Sequence, residues 1–418
     1  MFSTLLSRLR RLTCRLPLPR FGGSAVAGVP HGALGTPRPV LAAGAVLALA
    51  ACDPGALQLT GPSTRVDTDR PVQVALLVPG GSSDSGRNTI ARDLEAAARM
   101  AVADLQGVQV DLRVYQTAGD AARAASEASR AVDDGARIIL GPVFSQSATA
   151  VGQAVAPRNV NVLSFSNNTD VAGGNVFVLG HTFENTAQRL LAHAAQEGKG
   201  RVAVVSERTS EGEVAKRAIQ RAAARTNASI VGTQDYSFSQ QGVVDALPSI
   251  GSMVRSSGAQ SLFFTANSAG ALPLLAQLLP ENRVGPSDYQ FMGLARWDIP
   301  PETLQLDGLQ GGWFALPDPA LMRQFEARFT AANGNAPHPI AALGYDGVAA
   351  IGALLGSGRS DAFSREALTQ ASGFAGVNGV FRLRADGTNE RGLAVARIED
   401  QEVVVIAPAP RSFAGTGF

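Results

Sequence analysis

The sequence predicts an α/β fold of parallel sheets covered by helices on both faces and closed by an antiparallel β tail. Short apolar runs alternate with helical patterns of about ten to fifteen residues from residue 71 to residue 355, the rhythm of right-handed strand–helix–strand crossovers. After residue 379 the texture changes to closely spaced strands with an Asp386-Gly387 turn, the pattern of antiparallel pairing. With 418 residues, 45% of them hydrophobic and 17% charged, the chain has apolar material for two cores and is not of disordered composition.

Residues 1–51 stand apart. They hold Arg8, Arg10, Arg11, Arg15, Arg20 and Arg38 and no acidic residue, the composition of a targeting segment. Residues 40–49 are apolar, but at about ten residues they are too short to cross the roughly 30 Å hydrocarbon layer as a helix. They read as the hydrophobic stretch of a signal peptide, and they run into Leu49-Ala50-Ala51-Cys52, which resembles the lipobox of bacterial lipoproteins. Cys52 is therefore the expected lipidation site, and acyl chains there would anchor the protein to the inner or outer membrane of the cell envelope, facing the periplasm. Cys14 would leave with the signal peptide, so no disulfide is expected. Loss of six arginines takes the formal charge from +1 to about −5, which argues against nucleic acid as a partner.

Residues 52–70, rich in Pro, Gly, Thr, Ser and Asp, read as a flexible tether. The first strand is expected over 72–78, followed by the Pro79-Gly80-Gly81-Ser82-Ser83 loop and a helix with Ile90, Leu94, Ala97, Ala101 and Leu105 on one face. Alternation at Val110, Leu112 and Val114 gives a second strand, 120–133 a helix, and Arg137 to Leu140 a short strand ending in Gly141-Pro142. Helices are expected over 147–156, 185–197, 212–225, 319–333 and 341–355. Strands are expected over 160–164 and 201–206, at Ile230, and over 261–265, 290–293 and 312–315.

Three loops at strand ends concentrate hydrogen-bond donors: Gly80-Gly81-Ser82-Ser83, Phe144-Ser145-Gln146-Ser147 and Ser166-Asn167-Asn168-Thr169. Ligands of open α/β sheets sit beyond the carboxyl ends of the strands, where helix N-termini favour anions. These residues are equally good helix caps and turn formers, and both readings stand at this point. Catalytic chemistry finds no support. The first loop lacks the G-K-[ST] of a phosphate-binding loop, no G-x-S-x-G elbow occurs, and His181, His193 and His338 have neither metal-ligand spacing nor a second cysteine beyond residue 52. No cofactor and no enzymatic activity are expected. Asp346, following Tyr345 at a helix start, reads as a capping group or an interlobe hydrogen-bond acceptor.

The stretch 74–79 (VALLVP), Gly141-Pro142-Val143-Phe144-Ser145, residues 161–168 (NVLSFSNN), Gly344-Tyr345-Asp346 and the closing GVFRL with Asp386-Gly387 together resemble the type 1 periplasmic-binding proteins of the leucine-binding branch, over nearly all of 71–407. Within that branch the chain looks most like the lipoproteins that activate penicillin-binding proteins. The resemblance implies two doubly wound lobes joined by three crossovers around a ligand cleft. Lobe one would comprise 71–182 plus 308–376, lobe two 183–307 plus 377–407, and 408–418 a tail. Amino-acid-binding members hold the ligand carboxylate at the positions matching Ser145, Asn167 and Asn168, with Ser82 and Ser166 in the same loops. This chain departs from them in lobe two, with Glu211 where they have Tyr and with Arg296, Trp297 and Asp298 where they place an acidic group; Arg296 in the cleft favours a more anionic ligand. The resemblance thus implies, first, an activator of a peptidoglycan synthase and, as the alternative, a binding protein that delivers a small anion or an amino acid, branched-chain or related, to an ABC permease.

Overall fold

The computed structural model describes residues 66–68 and 70–413. The signal segment, the lipobox and Cys52 lie outside the described residues. In the first lobe, β1 (Val72–Val78), α1 (Ser85–Asp104), β2 (Val110–Gln116), α2 (Ala121–Asp133), β3 (Ile138–Leu140), α3 (Ser145–Val155), β4 (Asn161–Ser164) and β5 (Val176–Val178) follow one another. Their strands form a wholly parallel sheet in the order β2-β1-β3-β4-β5. Its two faces bury alternate residues of the same strand. Val74, Leu76 and Val78 pack toward α1 residues Leu94 and Ala98, while Ala75 and Leu77 pack toward Ala124 and Ala128 of α2. Burial on both faces is why β1 reads as a continuous apolar run rather than an alternating one.

The chain then crosses into a second lobe: α4 (Phe183–Gln196), β6 (Arg201–Glu207), α5 (Ser210–Ala223), β7 (Ser229–Tyr236), α6 (Gln240–Ser257), β8 (Ser261–Phe264), α7 (Leu272–Glu281), β9 (Gln290–Gly293) and β10 (Trp313–Leu316). It returns through α8 (Pro319–Asn333), α9 (Ala342–Gly356), α10 (Arg365–Leu368), β11 (Phe374–Gly376), β12 (Gly379–Leu383) and β13 (Asn389–Arg391). The described chain ends after β14 (Ala394–Glu399) and β15 (Glu402–Ala407). The second sheet has the order β15-β14-β10-β9-β8-β6-β7, in which β14 alone runs antiparallel to its neighbours β10 and β15, and β11-β12-β13 form a small antiparallel sheet.

Two lobe boundaries move from where the resemblance put them. Residues 308–316 belong to the second lobe, because β10 pairs in parallel with β9 and buries Phe314 on one face of that sheet and Trp313 on the other. The return crossover therefore lies between Leu316 and Pro319. Conversely, the strands after residue 377 stay with the first lobe through β13, since Phe374, Phe381 and Leu383 pack into the cluster of Val74, Leu76 and Leu343. The second lobe resumes only at β14, whose Ala394, Ala396 and Ile398 join its core. Helices α6 and α7 and strands β5 and β11 were not among the expected elements; α7 is apolar on nearly every face, so it shows no 3.6-residue alternation.

Candidate functional site

The carboxyl edge of the first sheet is tied to the first crossover. Leu179 N–H donates to the Ser164 carbonyl at 2.7 Å and Gly180 N–H to the Ser166 carbonyl at 3.1 Å, tying the loop after β4 to the crossover. Gly180 is required there, because a Cβ would come within 2.4 Å of the Ser166 oxygen. The third crossover runs alongside. Asn389 Nδ2 donates to the carbonyls of Val178 at 2.8 Å and Gly180 at 2.9 Å, and Arg391 donates twice to the Leu179 carbonyl, at 3.2 and 2.5 Å. Asp346 of α9 completes this hinge. Its carboxylate accepts from Val377 N–H at 2.9 Å, Asn378 N–H at 3.3 Å, Asn378 Nδ2 at 2.9 Å and Arg391 at 3.1 Å. Both partners of the Asp346–Arg391 pair have fully buried side chains, and such pairs hold only when every lone pair and proton is matched. Asp346 is a hydrogen-bond acceptor, but within the first lobe rather than between the lobes as expected, since Val377, Asn378 and Arg391 all stay with that lobe; its basic partner, set among the apolar residues of the tail, was missed.

His181 sits on the first crossover. Its imidazole keeps part of its surface open, yet burial, reinforced by the Arg391 and Arg296 guanidiniums and opposed by a hydrogen bond to Asn378, depresses its pKa to about 3. It is neutral at any physiological pH.

At the carboxyl edge of the first sheet, the three expected loops come together with different degrees of internal bonding. Ser82 is engaged within its own loop: its hydroxyl accepts from Asp84 N–H at 3.1 Å and its amide donates to Asn88 Oδ1 at 3.2 Å, while Asp84 caps α1. Ser166 is buried and its hydroxyl accepts from Asn168 N–H at 3.1 Å. Asn168 Oδ1 accepts from Asp170 N–H at 2.9 Å, and Asn167 is exposed. The α3 N-terminus differs. Its N-cap is Phe144, which has no side-chain cap, so the first N–H groups of an 11-residue helix are left to be met from outside. Ser145 opens that helix, and two residues on, the Ser147 hydroxyl is buried without any hydrogen-bond partner. Gly141 sets this turn close against β1: it has φ +86° and a Cβ there would lie 2.2 Å from the Leu77 carbonyl oxygen. The Arg87 guanidinium lies 5.3 Å from the centre of the Phe144 ring, donates to the Ala118 carbonyl at 3.0 Å and pairs with Asp84 at 3.6 Å, so the rim of this loop cluster carries a paired charge.

The edge of the second sheet is acidic and largely self-satisfied. Arg296 is locked to Asp298 by a two-point ion pair, one bond of which measures 2.9 Å. From the sequence Arg296 favours a more anionic ligand; in the structure its charge is offset by Asp298, which is itself engaged by the pair. Glu207, at the end of β6, is buried; it accepts from Thr209 at 3.3 Å and Tyr236 at 3.5 Å, and no salt bridge reaches it among the described residues. Burial pushes its pKa up, with the Glu211 charge adding to the rise. Sequence reasoning passed over Glu207; its place at the carboxyl end of an apolar run was the available signal. A groove of about 760 Å³ lies elsewhere, on the outer side of α7 between Pro273, Pro280 and Leu306, and takes no part in this arrangement.

Comparison with known proteins agrees with the geometry. No curated protein matches the sequence. Several solved structures share its fold. One is a periplasmic ligand-binding protein of a branched-chain amino acid ABC transporter from Burkholderia xenovorans, at 19% identity and TM-score 0.61, covering 82% of this chain and 97% of that one. An ABC transporter substrate-binding protein from Desulfitobacterium hafniense, solved with Leu, has 16% identity and TM-score 0.57 over 81% of this chain and 100% of that one. A solute-binding protein of R. palustris, solved with benzoate, has 16% identity and TM-score 0.52 over 82% and 97%. The sequence profile of the periplasmic binding proteins matches residues 71–402, and the chain belongs to that family of ligand-binding proteins.

Proposed function

We propose that this protein is a substrate-binding component of an ABC transporter, taking an amino acid of the branched-chain type or a related small carboxylate into the cleft between its lobes. The observation that carries the reading is the α3 N-terminus: uncapped N–H groups, Ser145 and the partnerless buried hydroxyl of Ser147, held at a strand edge that faces the crossover. Such an array fits a carboxylate. Asn167 and Asn168 would close over the same group, with Ser82 and Ser166 shaping the loops and Arg296, paired with Asp298, at the opposite rim. The relatives named above bind Leu or benzoate, both carboxylates, which supports this class of ligand. The ranking drawn from the sequence is reversed: no relative found speaks for a peptidoglycan synthase as partner. Export and attachment through Cys52 to the inner or outer membrane form part of the proposal, and fatty-acid labelling that survives Cys52→Ala would refute the attachment.

The test is isothermal calorimetry of the purified chain with leucine, isoleucine, valine and benzoate. Saturable one-to-one binding of one of these, weakened by Ser145→Ala, supports the reading. Absence of binding across the panel, with a synthase captured instead, overturns it.

A further inference from the structure

Beyond β15 the described residues 408–413 stay on the molecule. The Pro408 carbonyl accepts from Arg189 of α4 at 3.1 Å, which keeps the start of the segment on the second lobe. Ala409 is buried in the second-lobe core with Ala394 and Ala396. Pro410 then passes over the third crossover, its carbonyl oxygen 3.0 Å from where a Cβ on Gly392 would stand. At the end of the described segment the Phe413 ring meets the Arg382 guanidinium of β12, 4.6 Å from the ring centre, and closes on Gly373 ahead of β11. Those strands belong to the first lobe, through Phe374 and Phe381 in its core. Six residues thus start on one lobe and finish on the other.

Pro408 and Pro410 flank Ala409, and each fixes its own φ while restricting the residue before it, so the start of the segment is stiff where it leaves the second-lobe core. Arg382 is a firm attachment point, since it also pairs with Glu390 of β13 at 2.7 Å. Glu390 in turn accepts from Gln188 of α4 at 3.3 Å. The ring therefore closes a contact set that already runs between α4 and the small sheet, on elements that flank the crossovers.

We propose that residues 408–413 form a strap across the hinge, a fourth and non-covalent link between the lobes, and that docking of Phe413 on Arg382 restrains lobe opening. The strap acts on the hinge as a whole, so releasing it loosens crossover contacts that it does not touch. The experiment is hydrogen exchange on the full chain, comparing the parent with Phe413→Ala and Phe413→Trp and reading the amides of Gly180 and Thr182 on the first crossover. The expected result is faster exchange there in Phe413→Ala, by about two- to fivefold, the factor an exposed cation–π contact supports, with parental rates in Phe413→Trp. A variant ending at Arg411 should behave as Phe413→Ala does. Acceleration confined to 373–382 and 408–413, with the first crossover at parental rates in both the Ala and the shortened variant, overturns the proposal. So does equal acceleration in Phe413→Trp.

Discussion

The hinge and the α3 turn both border the cleft, and they treat polar groups in opposite ways. At the hinge, the Asp346 carboxylate receives four hydrogen bonds, Arg391 spends its donors on Asp346 and Leu179, and Asn389 gives both amide protons to backbone carbonyls, leaving only its oxygen without a partner. At the α3 turn, a helix begins without a side-chain cap and buries a hydroxyl with nothing to bind. Folding alone accounts for the first region. The second pairs an uncapped helix start with a buried partnerless hydroxyl, the combination that the proposed carboxylate would meet.

This contrast is broken or sharpened most sharply at Asp346. Asp346→Ala leaves the Arg391 charge buried without its partner, and the expected loss of stability is about 3–5 kcal/mol, read from chemical denaturation. A loss below about 1 kcal/mol would mean that the hinge is no more tightly specified than the cleft edge. Asp346→Asn keeps the shape but only one of the two acceptor oxygens, and sets an NH2 against two donors, so its loss should approach that of Asp346→Ala.

The next effect belongs to the α3 turn and its neighbour. Ser145→Ala with Asn168→Ala should weaken binding of the panel ligand by about 10- to 100-fold, the scale of hydrogen bonds to a charged group. Stability should fall by only about 1 kcal/mol, mostly from the lost cap at Asn168. Calorimetry and thermal unfolding on one preparation separate the two. If stability falls and affinity holds, these residues are caps and no more. Ser147→Ala is the finer probe. Removing a buried hydroxyl that has no partner should leave the empty protein as stable or up to about 1 kcal/mol more stable, while the liganded protein loses part of its thermal shift.

How far the sequence reached follows from what each element buries. Doubly covered strands announce themselves, because β1, β6 and β9 carry continuous apolar runs (residues 74–78, 202–205 and 291–292), and an amphipathic helix such as α5 shows its period. The crossovers do not. Whether 308–316 belongs to one lobe or the other depends on which strand β10 pairs with, and the run WFAL looks the same in either sheet. The loops of the candidate site were recognisable as Ser- and Asn-rich turns, but not which of them is internally satisfied. Asp84 and Asn88 occupy Ser82, whereas nothing occupies Ser147, and only the folded arrangement distinguishes them. Arg296 and Asp298 were read from the sequence as neighbouring charges but not as a pair, because along an irregular loop a spacing of two carries no directional information. Arg391 and Glu207 were passed over because a charged residue beside an apolar run reads as a strand end, whether or not it is buried.

The smallest expected effect concerns Glu207, and its sign can be worked out. Burial and the Glu211 charge raise its pKa in the folded protein above the ordinary 4.5. In the pH range between that value and the raised one, the folded state holds a proton that the unfolded state has released. The contribution of this group to stability is therefore fully present below about pH 4.5 and is lost as pH rises through the folded value. His181 does the reverse: its pKa is lowered from 6.5 to about 3, so its contribution is present above 6.5 and lost as pH falls toward 3. The two slopes oppose each other over the acid range, which keeps the net dependence shallow. Glu207→Gln removes one of them. Denaturation between pH 4 and pH 7 should then show stability rising with pH more steeply than in the parent. An unchanged slope would mean that Glu207 titrates near its ordinary value, with its carboxylate solvated from the cleft rather than buried behind Tyr236.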